Sequence, residues 1–337
     1  MGDWAREALV QQVDVAPPGR SDAGRKEKHE IRGKVGELWG INGCEGVGVA
    51  GEAFAGGSGA ATGAGVAVAA FAACPCPVFL APGNHDPLSA ASPYRTERWP
   101  VNVHIFASRA ISPVELPEQH CRVFGAGFES AYASGLLGGF SAPQDGWVNV
   151  MVLHGDALNP NSPYNAVTKE QIAASGLRYL ALGHIHQASG LLRAGHTAYA
   201  WPGCAMGRGV DELGEKGAYL VTLTDSDCSL EFLPLGGRSY EILRVPAGDD
   251  AAAALDAALP PDAARDIYRV ILTGVVSECC VLSTFFEGID LGCKLIWLTD
   301  ATSGLNPVLE EETLHILQGL SPLHVEFLST EDYLSNR

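Results

Sequence analysis

Residues 79–87 read FLAPGNHDP, and the interpretation of this stretch decides the fold. A short apolar run meets a Pro-Gly pair, then an amide, an imidazole and a carboxylate follow at once. Pro and Gly preset a turn, so the run reads as a strand whose chemistry sits on the loop beyond its carboxyl end. Asn84 offers a carbonyl oxygen and His85 a ring nitrogen, donors suited to a divalent ion or to proton transfer. One loop supplies only part of such a centre, so the other donors must come from elsewhere in the chain.

From Pro75 onward, apolar runs of strand length alternate with turn signals: PVFLAPG, VNVHIF, CRVFGAGF, VNVMVLHG, YLALGHIH, GAYLVTLT and SLEFLPL. Helices are fewer, and TKEQIAASG, closed by Gly176, is the clearest. This is an α/β pattern with functional groups at strand ends. His154 closes one run in VMVLHGD, and ALGHIHQ carries His184 and His186. If that strand stays extended through GHIH, its period of two puts both rings on one side. Neutral imidazole suits Zn, Mn and Fe.

GNHD, LHGD and GHIH, in that order, resemble the third, fourth and fifth motifs of the calcineurin-like metallophosphoesterases. The stretch WPGCAMGRGVDELGEKGAYLV resembles their SbcD-type branch, the bacterial DNA repair exonucleases. The likeness runs from about Pro75 to Gly274. It implies a four-layer αββα sandwich with a dinuclear Mn, Fe or Zn site at the sheet edge, Mn being the expected ion. It also implies that Asn84, His154 and His184 bind one metal and His186 the other. His85 would protonate the leaving oxygen or stabilise the transition state, with Asp86 orienting it. Arg208, after the PGCAMG turn, is a candidate phosphate contact. DNA or another phosphodiester would be the substrate, and an SbcC-like ATPase the partner.

Two earlier motifs of that family, an Asp-x-His and a Gly-Asp whose carboxylate bridges the metals, are missing. VDVAPP keeps Asp14 but has Ala16 where the histidine belongs, and VAGEAF puts Glu52 in the bridging place. The extra methylene of a glutamate moves its oxygens by roughly 1 Å, enough to matter in a preorganised site. The expectation is therefore at most one tightly held ion and an impaired phosphodiesterase. A non-catalytic scaffold, or a chain fused or mis-joined from unlike pieces, is the alternative.

The tail favours that mixed origin. ILTGVVSECCVLSTFFEGIDLGCKLIWLTDATSG resembles the C-terminal part of isochorismatase-like cysteine hydrolases, with Cys280 at the nucleophile position. A thiolate at a helix N-terminus would be stabilised there. That family's aspartate and lysine come from a half-domain missing from this chain, so a cysteine hydrolase is the third reading. The expected organisation is residues 1–74 as an irregular, degenerate N-terminal part, 75–238 as the phosphoesterase core, 239–273 as a linker or capping segment, and 274–337 as a βαβ-like isochorismatase fragment.

Composition limits these choices. A net charge of −17 repels nucleic acid and anionic lipid at long range, so a phosphate-bearing substrate needs bound cations or a few arginines. Nine scattered cysteines fit free thiols in a reducing compartment better than a disulfide framework. The opening MGDWAREALVQQ has no apolar core of a signal peptide, and the Gly/Ala stretch before Pro75 carries Glu52. A cytoplasmic protein without a membrane span is expected, of unknown oligomeric state.

Overall fold

In the first unit, alternation within the apolar runs builds two six-stranded sheets and three layers of core. The computed structural model describes residues 6–11, 46–50, 60–223, 227–235, 237–246, 251–261, 263–273 and 281–335. These fall into two compact units, one within 1–206 and 215–237, the other within 207–214 and 238–337.

The first unit begins with β1 (Arg6–Gln11), β2 (Gly46–Ala50), α1 (Ala60–Ala72), β3 (Val78–Ala81), α2 (Pro93–Thr96) and β4 (Val103–Ile105). It continues through β5 (Ser112–Leu116), β6 (Cys121–Ala126), β7 (Val148–His154), α3 (Lys169–Ala174) and β8 (Tyr179–Gly183). It closes with β9 (Leu192–Ala194), β10 (Thr197–Ala200), β11 (Gly217–Leu223) and β12 (Cys228–Pro234). One sheet runs β12-β11-β1-β2-β3-β4 and the other β5-β6-β7-β8-β10-β9. Strands β1 to β4 are parallel to one another, as are β6, β7, β8 and β10. The carboxyl ends of β7 and β8 therefore open on one edge of their sheet.

The period of two sorts the side chains. Val78 and Leu80 of β3 join Val47, Val49 and the α1 residues Ala64, Ala67 and Phe71. Phe79 and Ala81 point the other way, into a core shared with Val150, Val152, Tyr179, Ala181, Ala198 and Ala200 of the second sheet. Met151, Leu153, Leu180, Leu182 and Tyr199 form a third layer with Ile172 of α3. Full burial of one such large side chain contributes about 1.5–3 kcal/mol, so a one-residue slip of β3 or β7 would forfeit several of these at once. Gly125 is required where β6 passes Phe106, because a Cβ there would collide with that ring.

Helix α3 starts in a capping box: the Thr168 side chain accepts from the Gln171 N–H, and the Gln171 side chain accepts from the Thr168 N–H. Gly176, at φ +66°, then turns the chain into β8. The N-terminal part expected to be irregular is in fact regular where it is described. β1 pairs with both β11 and β2, well inside the first sheet, and α1 covers that sheet's outer face. The runs GVGVA and AATGAGVAVAAFA are nearly all Ala, Gly and Val, so they present little polar contrast from which a period could be read.

The second unit holds β13 (Tyr240–Pro246), α4 (Ala251–Ala258), β14 (Ile267–Thr273), α5 (Leu282–Asp290), β15 (Leu295–Leu298), α6 (Pro307–Gln318), β16 (Val325–Leu328) and α7 (Thr330–Ser335). β13 pairs in parallel with β14, and β15 with β16. β13–α4–β14 and β15–α6–β16 are thus two parallel βαβ units, the second within the 274–337 segment expected to be βαβ-like. Asn306 caps α6 by accepting from the Val308 and Leu309 N–H groups, with Pro307 at the first helical position. Phe285, Trp297, Leu317 and Val325 form the local core. Among the described residues no helix is long and apolar enough to cross a membrane.

Two buried thiols of the first unit differ in acidity. Cys76 lies 3.4 Å from Cys74 and its hydrogen bond draws the Cys74 thiol down to about 7, against the opposing effect of burial. Burial pushes Cys228 up to about 11. Alkylation of the native protein followed by mass spectrometry should therefore show Cys74 reacting faster as pH rises through about 7, with Cys228 inert over the same range. Equal reactivity of the two would contradict this assignment.

Candidate metal centre

Three of the expected ligands converge at the strand ends. Pro82 and Gly83 stop β3 and begin the loop that holds Asn84, His85 and Asp86. Asp86 is buried and fastens this loop: its Oδ1 accepts from the Gly83 N–H at 2.9 Å and its Oδ2 from the Tyr94 hydroxyl at 2.7 Å. Asn84 is buried and His85, beside it, is exposed. His154 is the last residue of β7 and is fully buried. Its Nε2 lies 2.6 Å from Asn84 Oδ1, across 70 residues of sequence. The His184 ring meets the His154 ring edge-on, with centroids 5.2 Å apart.

His184 corrects the expected geometry. β8 ends at Gly183, and His184 has a φ of +102°, so the extended alternation that would place His184 and His186 side by side stops before it reaches them. A non-glycine residue in that region costs of order 1–3 kcal/mol and persists only where its surroundings hold it. Trp201, fully buried, provides such a hold: its Nε1–H is shared between the carbonyls of Gly155 and Gly183, each at 3.1 Å. The same indole thus ties the residue after His154 to the residue before His184. His186 is half-buried, its carbonyl accepts from Lys216 Nζ at 3.3 Å, and one of its ring nitrogens lies within 4.8 Å of Cys204 Sγ.

Two residues without an assigned role in the sequence reading belong to this neighbourhood. Asp156 is buried, with Oδ1 accepting from the Leu158 and Asn159 N–H groups and Oδ2 3.9 Å from His184 Nε2. Its position two residues after a strand-end histidine, in LHGD, was a usable signal. Asn165 is fully buried and donates from Nδ2 to the His154 carbonyl at 2.9 Å. Gly155 makes room for it, since a Cβ there would stand 2.9 Å from Asn165 Nδ2.

The remaining candidates are Arg208, Asp14, Glu52 and Cys280. Arg208 belongs to the second unit, where its N–H donates to Glu212 Oε2 at 2.7 Å. Asp14, Glu52 and Cys280 lie outside the described residues.

A fully buried imidazole facing an amide oxygen, with a second imidazole and a carboxylate next to it, is a nitrogen-and-oxygen donor set of the kind that holds Mn, Fe or Zn. The chain is similar to a metallophosphoesterase. Over 176 residues it is 31% identical to the protein of Bacillus subtilis (strain 168) described as uncharacterized metallophosphoesterase YhaO, covering 50% of this chain and 41% of that protein. The chain therefore spans about two fifths of the length of this curated relative. Residues 254–332 match the isochorismatase domain family. The crystal structure of TT1561 of Thermus thermophilus aligns with a TM-score of 0.41 at 10% identity, over 67% of this chain and 98% of that one, a likeness too weak to carry weight.

Proposed function

We propose that the first unit is a divalent-metal-dependent phosphodiesterase on a four-layer αββα scaffold, acting as a DNA repair exonuclease of the SbcD type in the cytoplasm with an SbcC-like ATPase as partner. The observation that carries this reading is the 2.6 Å approach of His154 Nε2 to Asn84 Oδ1 beside the His184 ring. Asn84, His154 and His184 would hold one ion, Mn in this reading, and His186 would serve a second. When bound, the metal supplies positive charge to a phosphoryl oxygen and acidifies a water. That local charge also answers the −17 of the chain, which would otherwise repel a phosphodiester.

The chain's own groups supply the rest. His85, exposed on a loop pinned by Asp86, would give a proton to the leaving oxygen. Gly83 and Tyr94 hold the Asp86 carboxylate, so the loop keeps its shape while His85 meets substrate. With Asp14 and Glu52 in place of the full Asp-x-His and Gly-Asp pair, one ion is held tightly and hydrolysis is slower than at a complete two-metal centre.

The test is Mn-dependent hydrolysis of bis-p-nitrophenyl phosphate. His85→Ala should lower the rate by about 10²–10⁴-fold, the usual worth of a general acid, while Mn binding stays intact. Hydrolysis that survives the substitution unchanged would remove His85 from the mechanism. A second reading, a cysteine hydrolase acting through Cys280, draws on the isochorismatase match alone.

A further inference from the structure

An unbroken series of rings leads from the candidate metal centre to the surface. His154 and His184 meet at 5.2 Å, and Tyr164 approaches His184 at 5.1 Å with the planes tilted by 43°. Tyr132 then stacks on Tyr164 at 5.8 Å with only 19° between the planes. Tyr132 is 62% exposed, so it presents surface to solvent beyond its contact with Tyr164. A single exposed tyrosine needs no explanation. One laid flat on a second tyrosine that itself touches a site histidine is a different arrangement.

The backbone holds this arrangement in register. Ala133 and Tyr164 form a parallel bridge. The Asn165 N–H donates to the Ala133 carbonyl at 2.7 Å, and the Ala133 N–H to the Pro163 carbonyl at 3.2 Å. Ser130 Oγ donates to the Tyr132 carbonyl at 2.8 Å. The segment carrying Tyr132 is thus tied through Asn165 to the carbonyl of His154. Arg109, exposed, donates from Nη2 to the carbonyl of Ser134, two residues beyond Tyr132, at 3.2 Å.

We infer that Tyr132, backed by Tyr164, is a stacking platform for a nucleobase of a nucleotidic phosphodiester whose phosphate occupies the His154–His184 centre. This rests on the phosphodiesterase reading and adds to it the residue that holds the base of the substrate. Stacking is electrically neutral, so it serves a chain of charge −17 better than a basic groove would. It is also indifferent to which base is offered, because every base has a π face. Tyr132 is on this account a specificity residue and takes no part in proton transfer.

The test uses the full chain with Mn, a single-stranded oligodeoxynucleotide containing 2-aminopurine, and an abasic phosphodiester strand of the same length. Tyr132→Ala should weaken binding of the base-bearing strand by about 5- to 150-fold and remove the quenching of 2-aminopurine fluorescence, while Tyr132→Trp preserves both. Binding of the abasic strand should not change with Tyr132→Ala. If wild type binds both strands equally, or Tyr132→Ala binds the base-bearing strand as wild type does, the platform is refuted even where hydrolysis proceeds. If Tyr132-dependent binding is present and no phosphodiester is cleaved, the platform stands and the catalytic reading fails. Absence of any binding refutes the platform as well.

Discussion

Alanine at position 154 should empty the centre of its ion and lower phosphodiester hydrolysis by about 10³-fold or more, beyond the roughly 10–100-fold that loss of an outer partner costs. His154 is fully buried at the end of β7, where its Nε2 faces Asn84 Oδ1 at 2.6 Å and its ring stands beside His184. Its ring also packs edge-on against Phe128 at 5.2 Å, so the truncation leaves a gap and some loss of stability must be expected. Binding is therefore read on the folded fraction, by calorimetric titration with Mn, alongside elemental analysis of the purified protein. His154→Gln, which keeps much of the volume, should lose the ion while melting close to wild type. Asn84→Ala should be milder, because a neutral carbonyl oxygen contributes less than an imidazole. Wild-type metal content in His154→Ala would mean that this cluster is not the metal centre. Two tightly held equivalents in the wild type would overturn the expectation that the missing carboxylates limit the site to one.

The parts of this centre that were legible in the sequence are those whose geometry is fixed locally. β3 and β7 are apolar runs that end on a turn or on the functional residue itself, so Asn84 and His154 could be placed at strand ends before any contact was known. His184 was legible in identity and not in orientation. The alternation argument assumes extended backbone, and the chain abandons it at φ +102°, under the hold of the Trp201 indole, which comes later in the chain. α1 escaped notice for a compositional reason. Its buried Ala64, Ala67 and Phe71 do follow a helical spacing, but the residues between them are also Ala, Gly and Val. The role of Asn165 was the least readable, and that of Asp156 was signalled only by its place in LHGD. Each depends on groups that meet only when the strands have paired, and a polar residue in a loop gives no hint that it will be buried.

Asn165 carries the other large expectation. Its side chain donates to the His154 carbonyl at 2.9 Å and accepts from the Leu136 N–H at 2.9 Å. Its backbone donates to the Ala133 carbonyl and accepts from the Asp156 N–H. It does this at a φ of +58°, where asparagine is tolerated and most residues are not. Asn165→Ala strips one hydrogen bond from His154 and one from Leu136 in a dry setting, at about 1–3 kcal/mol each, and adds roughly 1 kcal/mol of left-handed strain. The expected loss of stability in denaturant unfolding is about 3–7 kcal/mol, a large part of what an ordinary domain possesses. Asn165→Gly removes the same hydrogen bonds without the backbone strain, so it should be more stable than the alanine variant by roughly 1 kcal/mol. Asn165→Asp keeps an acceptor for the Leu136 N–H and loses the donor to His154, which separates the two bonds. Mn affinity of the folded Asn165→Gly protein should fall by about 10–100-fold, because Asn165 fixes the backbone that aims the His154 ring. If both variants unfold within about 1 kcal/mol of wild type, the amide is not the joint that sets His154 against Asn84, and the β7 strand end must be rigid by pairing alone.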